Sequence, residues 1–390
     1  MMEVLSAEVV VIGGGVIGAS AAYYLAREGA EVMIVEAEDL ASGASGACDG
    51  FLFLQSKIPG PHMDMARESL RLFPDIATDL EVDIEYDRCG SLVLARTAEG
   101  IKSLKAQVKK LKGAGLEVEM VGQEDLKELC PAAAPGIKGA SYCRDDAQVN
   151  PTKLTLGLAK KAQDLGATIM INCRVENIII TNDRVRELRT SAGSIHTRRV
   201  VCAAGIGSNQ IGKMAIIDVP VMPRKGQILV TEPVERILKT IVADASYLGV
   251  KQGIEGLEPD TEEARKLGLS FTAEQTKDGN ILLGSTREYA GFDTETTPEA
   301  IKTIARNAVE FLPRVSELDV IRSFAGLRPY SPDGLPILGT VKGIRGFYLA
   351  TGHSGDGISL APITGKLIAE LVLDGETSMD ISPFSLSRFK

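Results

Sequence analysis

A chain of 390 residues that is 44% hydrophobic and 24% charged has the composition of a soluble globular protein, which excludes disorder or a fibrous role. Its formal charge of −9, from 52 acids against 43 bases, would repel a nucleic-acid duplex or an anionic membrane surface. The length exceeds what one core usually holds, so two domains are expected.

Six cysteines (Cys48, Cys89, Cys130, Cys143, Cys173, Cys202) lie scattered with no CxxC pair. That spacing argues against a zinc or iron–sulfur site and fits a reducing, cytoplasmic compartment. The uncharged run Val9 to Ala26 has membrane-spanning length, but Gly13, Gly14, Gly15 and Gly18 interrupt it and no basic residue precedes it. It is read as neither a leader nor a transmembrane segment.

In chain order, Glu8-Val-Val-Val-Ile12 reads as a strand buried on both faces of a parallel sheet. Gly13-Gly-Gly-Val-Ile-Gly18 follows, then a helical pattern with Ala19, Ala22, Tyr23 and Ala26 inward, ended by Gly29, then a strand from Glu31 to Glu36. This βαβ unit has the spacing of a dinucleotide site. Gly13 permits a sharp turn, Gly15 admits a pyrophosphate to the backbone, and Gly18 lets the helix sit close on the sheet. Val16 and Ile17 open a helix whose free N–H groups favour anions, and Glu36 is placed to accept hydrogen bonds from an adenosine ribose.

Residues 86–143 hold a strand-like Gly90 to Ala95 and an amphipathic helix with Ile101, Leu104, Val108 and Leu111 inward. Lys102, Lys105, Lys109, Lys110 and Lys112 form that helix's solvated face, and a strand follows at Glu117 to Val121. A helix from Leu154 to Leu165, a strand at Thr168 to Asn172 and an apolar run containing Val175 come next. Val200-Val-Cys-Ala-Ala-Gly-Ile-Gly207 is a strand entering a small-residue turn. Ala203, Ala204 and Gly205 there either allow a cofactor to approach the backbone or simply end the strand.

Within 216–320, Gln227 to Thr231 and Asn280 to Ser285 alternate as strands, the second entered by the hairpin signal Asp278-Gly279. Asp244 to Lys266 reads as a loop. An antiparallel sheet is expected to roof the cofactor, with Tyr247, Phe271, Arg287 and Tyr289 lining the pocket. Gly346 to Thr351 is a last strand, Gly352-His-Ser-Gly-Asp-Gly-Ile358 a glycine-rich turn, and Ala361 to Leu373 a helix with Pro362 in its first turn. A helix N-terminus there can aim N–H groups at the pyrimidine edge of a flavin. Because the chain returns to the cofactor fold near its end, the sequence favours FAD over a nicotinamide.

The GGGVIG start with Glu36, the Ala-Ala-Gly turn, Gly326-Leu-Arg-Pro-Tyr-Ser-Pro-Asp-Gly-Leu-Pro336 and the GHSGDG turn together resemble the D-amino-acid-oxidase-like family of FAD-dependent amine oxidoreductases. That family includes glycine oxidase, sarcosine oxidase and D-amino-acid dehydrogenases. The resemblance spans nearly the whole chain, and is greatest to the β subunits of sarcosine-oxidase-like, dye-linked proline or hydroxyproline, and opine-oxidising complexes. It implies an α/β protein with a discontinuous Rossmann-like FAD-binding domain (1–85, 144–215 and 321–390). The insertions (86–143 and 216–320) would form an α+β substrate domain with an antiparallel sheet.

The resemblance also implies chemistry: oxidation of the C–N bond of a small amino or imino acid by hydride transfer to flavin N5, giving an imine. A secondary amine such as sarcosine, proline, hydroxyproline or an opine is favoured, with alpha and gamma electron-transfer subunits as partners. FAD is expected without a covalent bond, because the positions of the family's covalent links carry no matching cysteine or histidine. Arg328 matches the residue that holds the substrate carboxylate, or else ties the strand to a neighbouring carboxylate. The second arginine of glycine-oxidase-like relatives is replaced by Ser354-Gly355-Asp356, which leaves Arg287, Lys57 and Arg224 as substitutes or as surface or structural cations.

Ser42 to Gly50 matches the loop beside the ribityl chain, with Ser42, Ser45 and Gly46 as its oxygen-binding positions. Cys48 and Asp49 stand where relatives often carry Arg-Asn or His, so the acid–base assignment is open. His353 could orient the substrate amine or act as a packed spacer, with Gly326, Gly352, Gly357 and Ile358 around the flavin. His62 and His196 read as exposed. Three competing functions are a D-amino-acid dehydrogenase acting on primary amines, an alcohol dehydrogenase of the glycerol-3-phosphate type, and a flavin-bearing electron-relay subunit. The alcohol reading would need a cluster of cations, and the sequence shows none beside the RPYSPDG segment.

Overall fold

Val9–Ile12 is the centre of the first sheet because its four side chains are all β-branched and all buried. It pairs in parallel with Arg199–Cys202 on one side and Val32–Val35 on the other. Ile344–Thr351 and Thr168–Met170 extend the parallel core outward. An antiparallel meander, Val175–Thr181, Arg184–Thr190 and Gly193–His196, continues beyond Ile344–Thr351, and Leu5–Ser6 and Ile337–Val341 complete the ten strands of the sheet. These elements come from a computed structural model that describes residues 5–254, 257–259 and 261–389.

The helix Val16–Arg27 is buried at every position through Ala26, not only on the inward face expected from Ala19, Ala22, Tyr23 and Ala26. The cause is a second helical layer: Pro151–Asp164 and Gly357–Leu373 lie on its outer side. A side chain at Gly365 would overlap Ser20, so the missing Cβ is what lets the two helices touch. The helix predicted from Ala361 in fact starts at Gly357, which puts Pro362 in its second turn. Most of this helix is buried, and that packing outweighs the one backbone bond that proline removes.

Eight strands form the second sheet, in the order Val320–Tyr330, Met222–Thr231, Ile281–Gly284, Thr272–Gln275, Ile241–Asp244, Ser91–Ala95, Gly139–Cys143 and Val118–Val121. All neighbours are antiparallel except Ile241–Asp244 with Ser91–Ala95, so the expected antiparallel sheet is a mixed one. Val320–Tyr330 pairs with Met222–Thr231 along its length. The boundary expected at 321 therefore cuts through a strand of the roof. Phe271 does not line the pocket; it stacks on Phe311, 4.8 Å between ring centres, in the core beneath helix Pro298–Phe311.

The stretch from Asp244 to Lys266 is not a plain loop, although residues 255, 256 and 260 lie outside those described. Asp244 caps a helix, Ala245–Gln252, by accepting from Ser246 N, and Gly253 ends it at φ +67°. Thr261 caps a second helix, Glu262–Lys266. The polar residues and glycine that suggested a loop are helix caps.

Asp146 joins the two halves of the molecule: one carboxyl oxygen accepts from Leu54 N at 2.6 Å and the other from Ser91 Oγ at 2.6 Å. Burial pushes its carboxyl up to about 7, against the hydrogen bond from Ser91. Between about pH 4 and 7 the folded state thus keeps a proton that the unfolded chain has lost, so stability falls as pH rises through this window. The expected loss is up to roughly 4 kcal/mol. Urea midpoints measured across that range should flatten in Asp146→Asn; a variant with the wild-type slope would refute the assignment.

Candidate active site

A cavity of about 580 Å³ opens at the carboxyl ends of the parallel strands, beneath the roof sheet. At one end the backbone itself forms the floor. Gly13 has φ +112°, and a Cβ there would lie 2.5 Å from Ala203 O. Gly15 leaves the helix Val16–Arg27 without a side-chain cap, and Ser45 Oγ supplies one from the next loop by accepting from Val16 N at 2.9 Å. Glu36 lines the cavity while accepting from Gly14 N at 2.6 Å and Glu38 N at 2.9 Å, which locks the glycine turn.

Val16, Ile17, Ser42, Val175, Ala204 and Gly205 also line this end. Gly18, Gly46 and Gly352 do not, and act on its shape instead. A Cβ at Gly18 would overlap Gly13 O, one at Gly46 would overlap Ala41 O, and Gly352 turns the chain at φ +70°. Cofactor-facing and shape-setting glycines look alike in a sequence.

The other end joins three remote segments. Ser354 N donates to Pro329 O at 3.0 Å, and His353 pairs with Tyr330 as an isolated bridge. A Cβ at Gly326 would overlap Ala47 O, so the Cys48-Asp49 loop rests directly on the Gly-Leu-Arg-Pro strand. Ser354, Gly355, Asp356, Gly357 and Ile358 line the wall. The Asp356 carboxylate makes no cap bond to helix Gly357–Leu373, which leaves that helix's first-turn N–H groups without a side-chain acceptor.

Arg328 lines the cavity with Nη1 donating to Thr286 O and Nη2 to Ser285 Oγ, both at 3.0 Å. Half-buried Asp49 is the carboxyl beside it. Burial raises the Asp49 carboxyl, against the pull of Arg328 and Arg287. Behind it, Glu274 is buried with both carboxyl oxygens on Gly50 N, at 2.9 and 3.1 Å, and burial and Asp49 hold it well above its ordinary range. The Cys48 thiol is also pushed well up, by burial and then by Asp49, which suits a packed thiol rather than a nucleophile. His353 sits 3.1 Å from Thr364 Oγ1, and burial pulls it down to about 3, so its ring is neutral at working pH.

Two expectations are corrected here. His62 is buried, not exposed, with Nε2 3.4 Å from Asp356 Oδ2. Lys57 is no surface cation: at 1% exposure it pairs with Asp356 Oδ1 at 2.6 Å, and Lys251 pairs with the same oxygen at 2.7 Å. Lys251 and Ser56 line the cavity and went unnoticed in the sequence, because nothing in their local pattern signals a partner hundreds of residues away.

A third correction concerns charge. Arg224, Arg287 and Arg328 all line the cavity, so a cation cluster does stand beside the RPYSPDG segment. Separate strands and turns supply it, which hid it from a linear reading. Tyr247 lines the cavity as expected, whereas Tyr289 is 67% exposed and meets Tyr330 edge-on at 6.2 Å.

The residues present fit FAD: a bare-backbone floor at Gly13, two helix N-termini on one cavity, and a buried Ser354 Oγ with no partner. Among the described residues there is no group of three or more His, Cys, Asp or Glu that could hold a metal, and no helix long and apolar enough to cross a membrane.

Comparison with known proteins agrees with this geometry. The family described as DAO, FAD dependent oxidoreductase, matches residues 8–371. Glycine oxidase of Geobacillus kaustophilus (strain HTA426) is 30% identical over 98% of this chain and 97% of its own. A crystal structure of glycine oxidase from Geobacillus kaustophilus superposes with TM-score 0.89 at 29% identity, covering 98% of this chain and 99% of that one. L-proline dehydrogenase from P. horikoshii gives 0.88 at 25% identity, covering 99% and 98%. A subunit of the opine oxidase of Agrobacterium tumefaciens (strain Ach5) is 27% identical over 98% of this chain and 97% of its own.

Proposed function

The chain belongs to the DAO family of FAD-dependent oxidoreductases, and on that footing we propose that it oxidises the C–N bond of a small amino or imino acid, a secondary amine by preference. Bound FAD supplies a two-electron acceptor for the hydride on the carbon beside nitrogen. The protein's own part is to hold, orient and deprotonate. Gly13, Gly15, Glu36, Ser45 and Ala203 to Gly205 would hold the adenosine and pyrophosphate portion, and Ser354 to Ile358 the flavin.

The observation that carries the reading is Arg328 in the cavity wall, half-buried beside Asp49 and fixed by Thr286 O and Ser285 Oγ. A guanidinium held by two of its five donors keeps others for a substrate carboxylate. Asp49, with its carboxyl raised by burial, is the group we assign to take the amine proton. His353 stays neutral, and its part is to shape the turn.

The relative named as part of an opine oxidase supports a hetero-oligomer in which alpha and gamma subunits carry electrons onward. Six unpaired cysteines support a cytoplasmic setting. The test is anaerobic bleaching of the flavin band by sarcosine, proline, hydroxyproline, opines and D-amino acids, with an artificial dye as acceptor. Bleaching by no amine, or by glycerol 3-phosphate alone, refutes the reading.

Gly226 offers an independent check. A Cβ there would overlap the Arg328 guanidinium, which is the far end of a flexible side chain. Gly226→Ala should therefore fold and bind FAD, yet push Arg328 aside and raise the substrate KM by about tenfold or more, equivalent to about 1.4 kcal/mol of lost binding. Unchanged KM values would separate Arg328 from substrate binding.

A further inference from the structure

Arg224, Arg287 and Arg328 are half-buried around one cavity, and none of them forms an ion pair with a carboxylate among the described residues. Arg224 and Arg328 lie directly opposite each other on paired antiparallel strands, an arrangement that costs stability for like charges. Arg328 donates to the carbonyl of Thr286, the residue before Arg287. Burial and then Arg328 pull the Arg287 guanidinium down to about 10. The Asp356 carboxylate does not offset this charge, since Lys57 and Lys251 already share it.

Aromatic faces hold the guanidiniums where carboxylates do not. Arg287 lies 4.9 Å from the ring centre of Tyr247, and Arg224 lies 4.8 Å from that of Tyr330 and 5.4 Å from that of Tyr289. Such stacking fixes a guanidinium plane without using its edge donors, and of those of Arg287 it is Nη1 that is engaged, donating to Ser270 Oγ at 2.7 Å. Arg224 Nε is buried with no hydrogen-bond partner at all. Asp49 is the carboxylate that acts most on Arg287 and Arg328 among the described residues. Even with Asp49 ionised, three cations leave two positive charges to be met by whatever binds.

We infer that the substrate is a secondary amine carrying two carboxylates, an N-(carboxyalkyl) amino acid, with one carboxylate on Arg328 and the other between Arg224 and Arg287. The inference rests on the amine-oxidising function proposed above and narrows it. The chemistry is unchanged: a C–H bond beside nitrogen gives up its electron pair and hydrogen as hydride, the N–H proton leaves to Asp49, and water splits the resulting imine. From iminodiacetate the products are glyoxylate and glycine.

Four ligands decide the matter on the purified holoenzyme. Iminodiacetate and sarcosine differ by the second carboxylate, and anaerobic bleaching of the flavin should give iminodiacetate a kcat/KM about 100-fold higher. Thiodiacetate and (methylthio)acetate repeat the comparison without an oxidisable amine. Perturbation of the flavin spectrum should show thiodiacetate binding about 30-fold more tightly. Arg287→Met and Arg224→Met should each reduce the iminodiacetate-to-sarcosine ratio by about tenfold or more.

Sarcosine used as well as iminodiacetate, or a ratio untouched by both variants, overturns the dicarboxylate inference and leaves amine oxidation standing. Bleaching by no amine overturns both. Reduction by glycerol 3-phosphate alone assigns the cations to a phosphate and likewise overturns both.

Discussion

Replacing Arg328 by alanine will raise the substrate KM and lower turnover while the flavin content per protein stays at the wild-type level. The pair it would form with a carboxylate is charge-assisted and shielded from bulk water, and loss of one partner from such a pair costs about 2 to 5 kcal/mol. At about 1.4 kcal/mol per tenfold, kcat/KM falls between roughly 30-fold and several thousand-fold. Arg328→Lys keeps the charge and loses the planar fork, so it should recover only part of the deficit.

A purely structural arginine predicts a different result. Its two present bonds, to Thr286 O and Ser285 Oγ, tie the Gly-Leu-Arg-Pro strand to the roof. If those bonds are its whole purpose, the alanine variant will lose thermal stability and flavin together, and the KM of the surviving holoenzyme will be unchanged. Flavin absorbance and steady-state kinetics on one preparation separate the two.

What the sequence disclosed depended on whether the signal was local. Val9–Ile12 and the glycine turn after it were legible because β-branched runs, a glycine turn and a following helix are neighbours in the chain. The same is true of the hairpin at Asp278-Gly279, which joins Thr272–Gln275 to Ile281–Gly284. Alternation alone could not say which face of the roof Phe271 would take, and it took the one away from the cavity. Caps such as Asp244 and Thr261 use the same residue types as loops, so two short helices were hidden there.

The site's electrostatics were the least legible part. Arg224, Arg287 and Arg328 meet only because Met222–Thr231 pairs with Val320–Tyr330 and the end of the Thr272–Gln275 and Ile281–Gly284 hairpin turns toward both. No spacing rule covers three such remote positions. Pairing register is a tertiary property, and a shift of one residue would have sent Arg328 to the opposite face of the roof.

Removing the Asp356 carboxylate should be the most destabilising single substitution in the cavity wall. Lys57 is 1% exposed and has that carboxylate as its ion-pair partner, at 2.6 Å, with Lys251 on the same oxygen. Burial alone would raise the Asp356 carboxyl, yet Lys251 and Lys57 hold it well below its ordinary range. Asp356→Ala strands Lys57 as an uncompensated buried cation, which costs about 3 to 5 kcal/mol.

The pH dependence identifies the mechanism. Burial already pulls the Lys57 ammonium down, and Asp356 is what opposes that pull. In the variant, Lys57 should shed its proton in the fold at a pH where the unfolded chain still keeps it, so stability rises with pH from that lowered value up to about 10. The deficit against wild type is therefore largest at low pH and shrinks in alkali. Adding Lys57→Met should recover most of the loss, because an apolar side chain in place of the lysine leaves no buried charge unpaired. Urea midpoints for the single and double variants between pH 6 and 10 decide it; a deficit that ignores both pH and the second substitution would mean that Asp356 acts through packing alone.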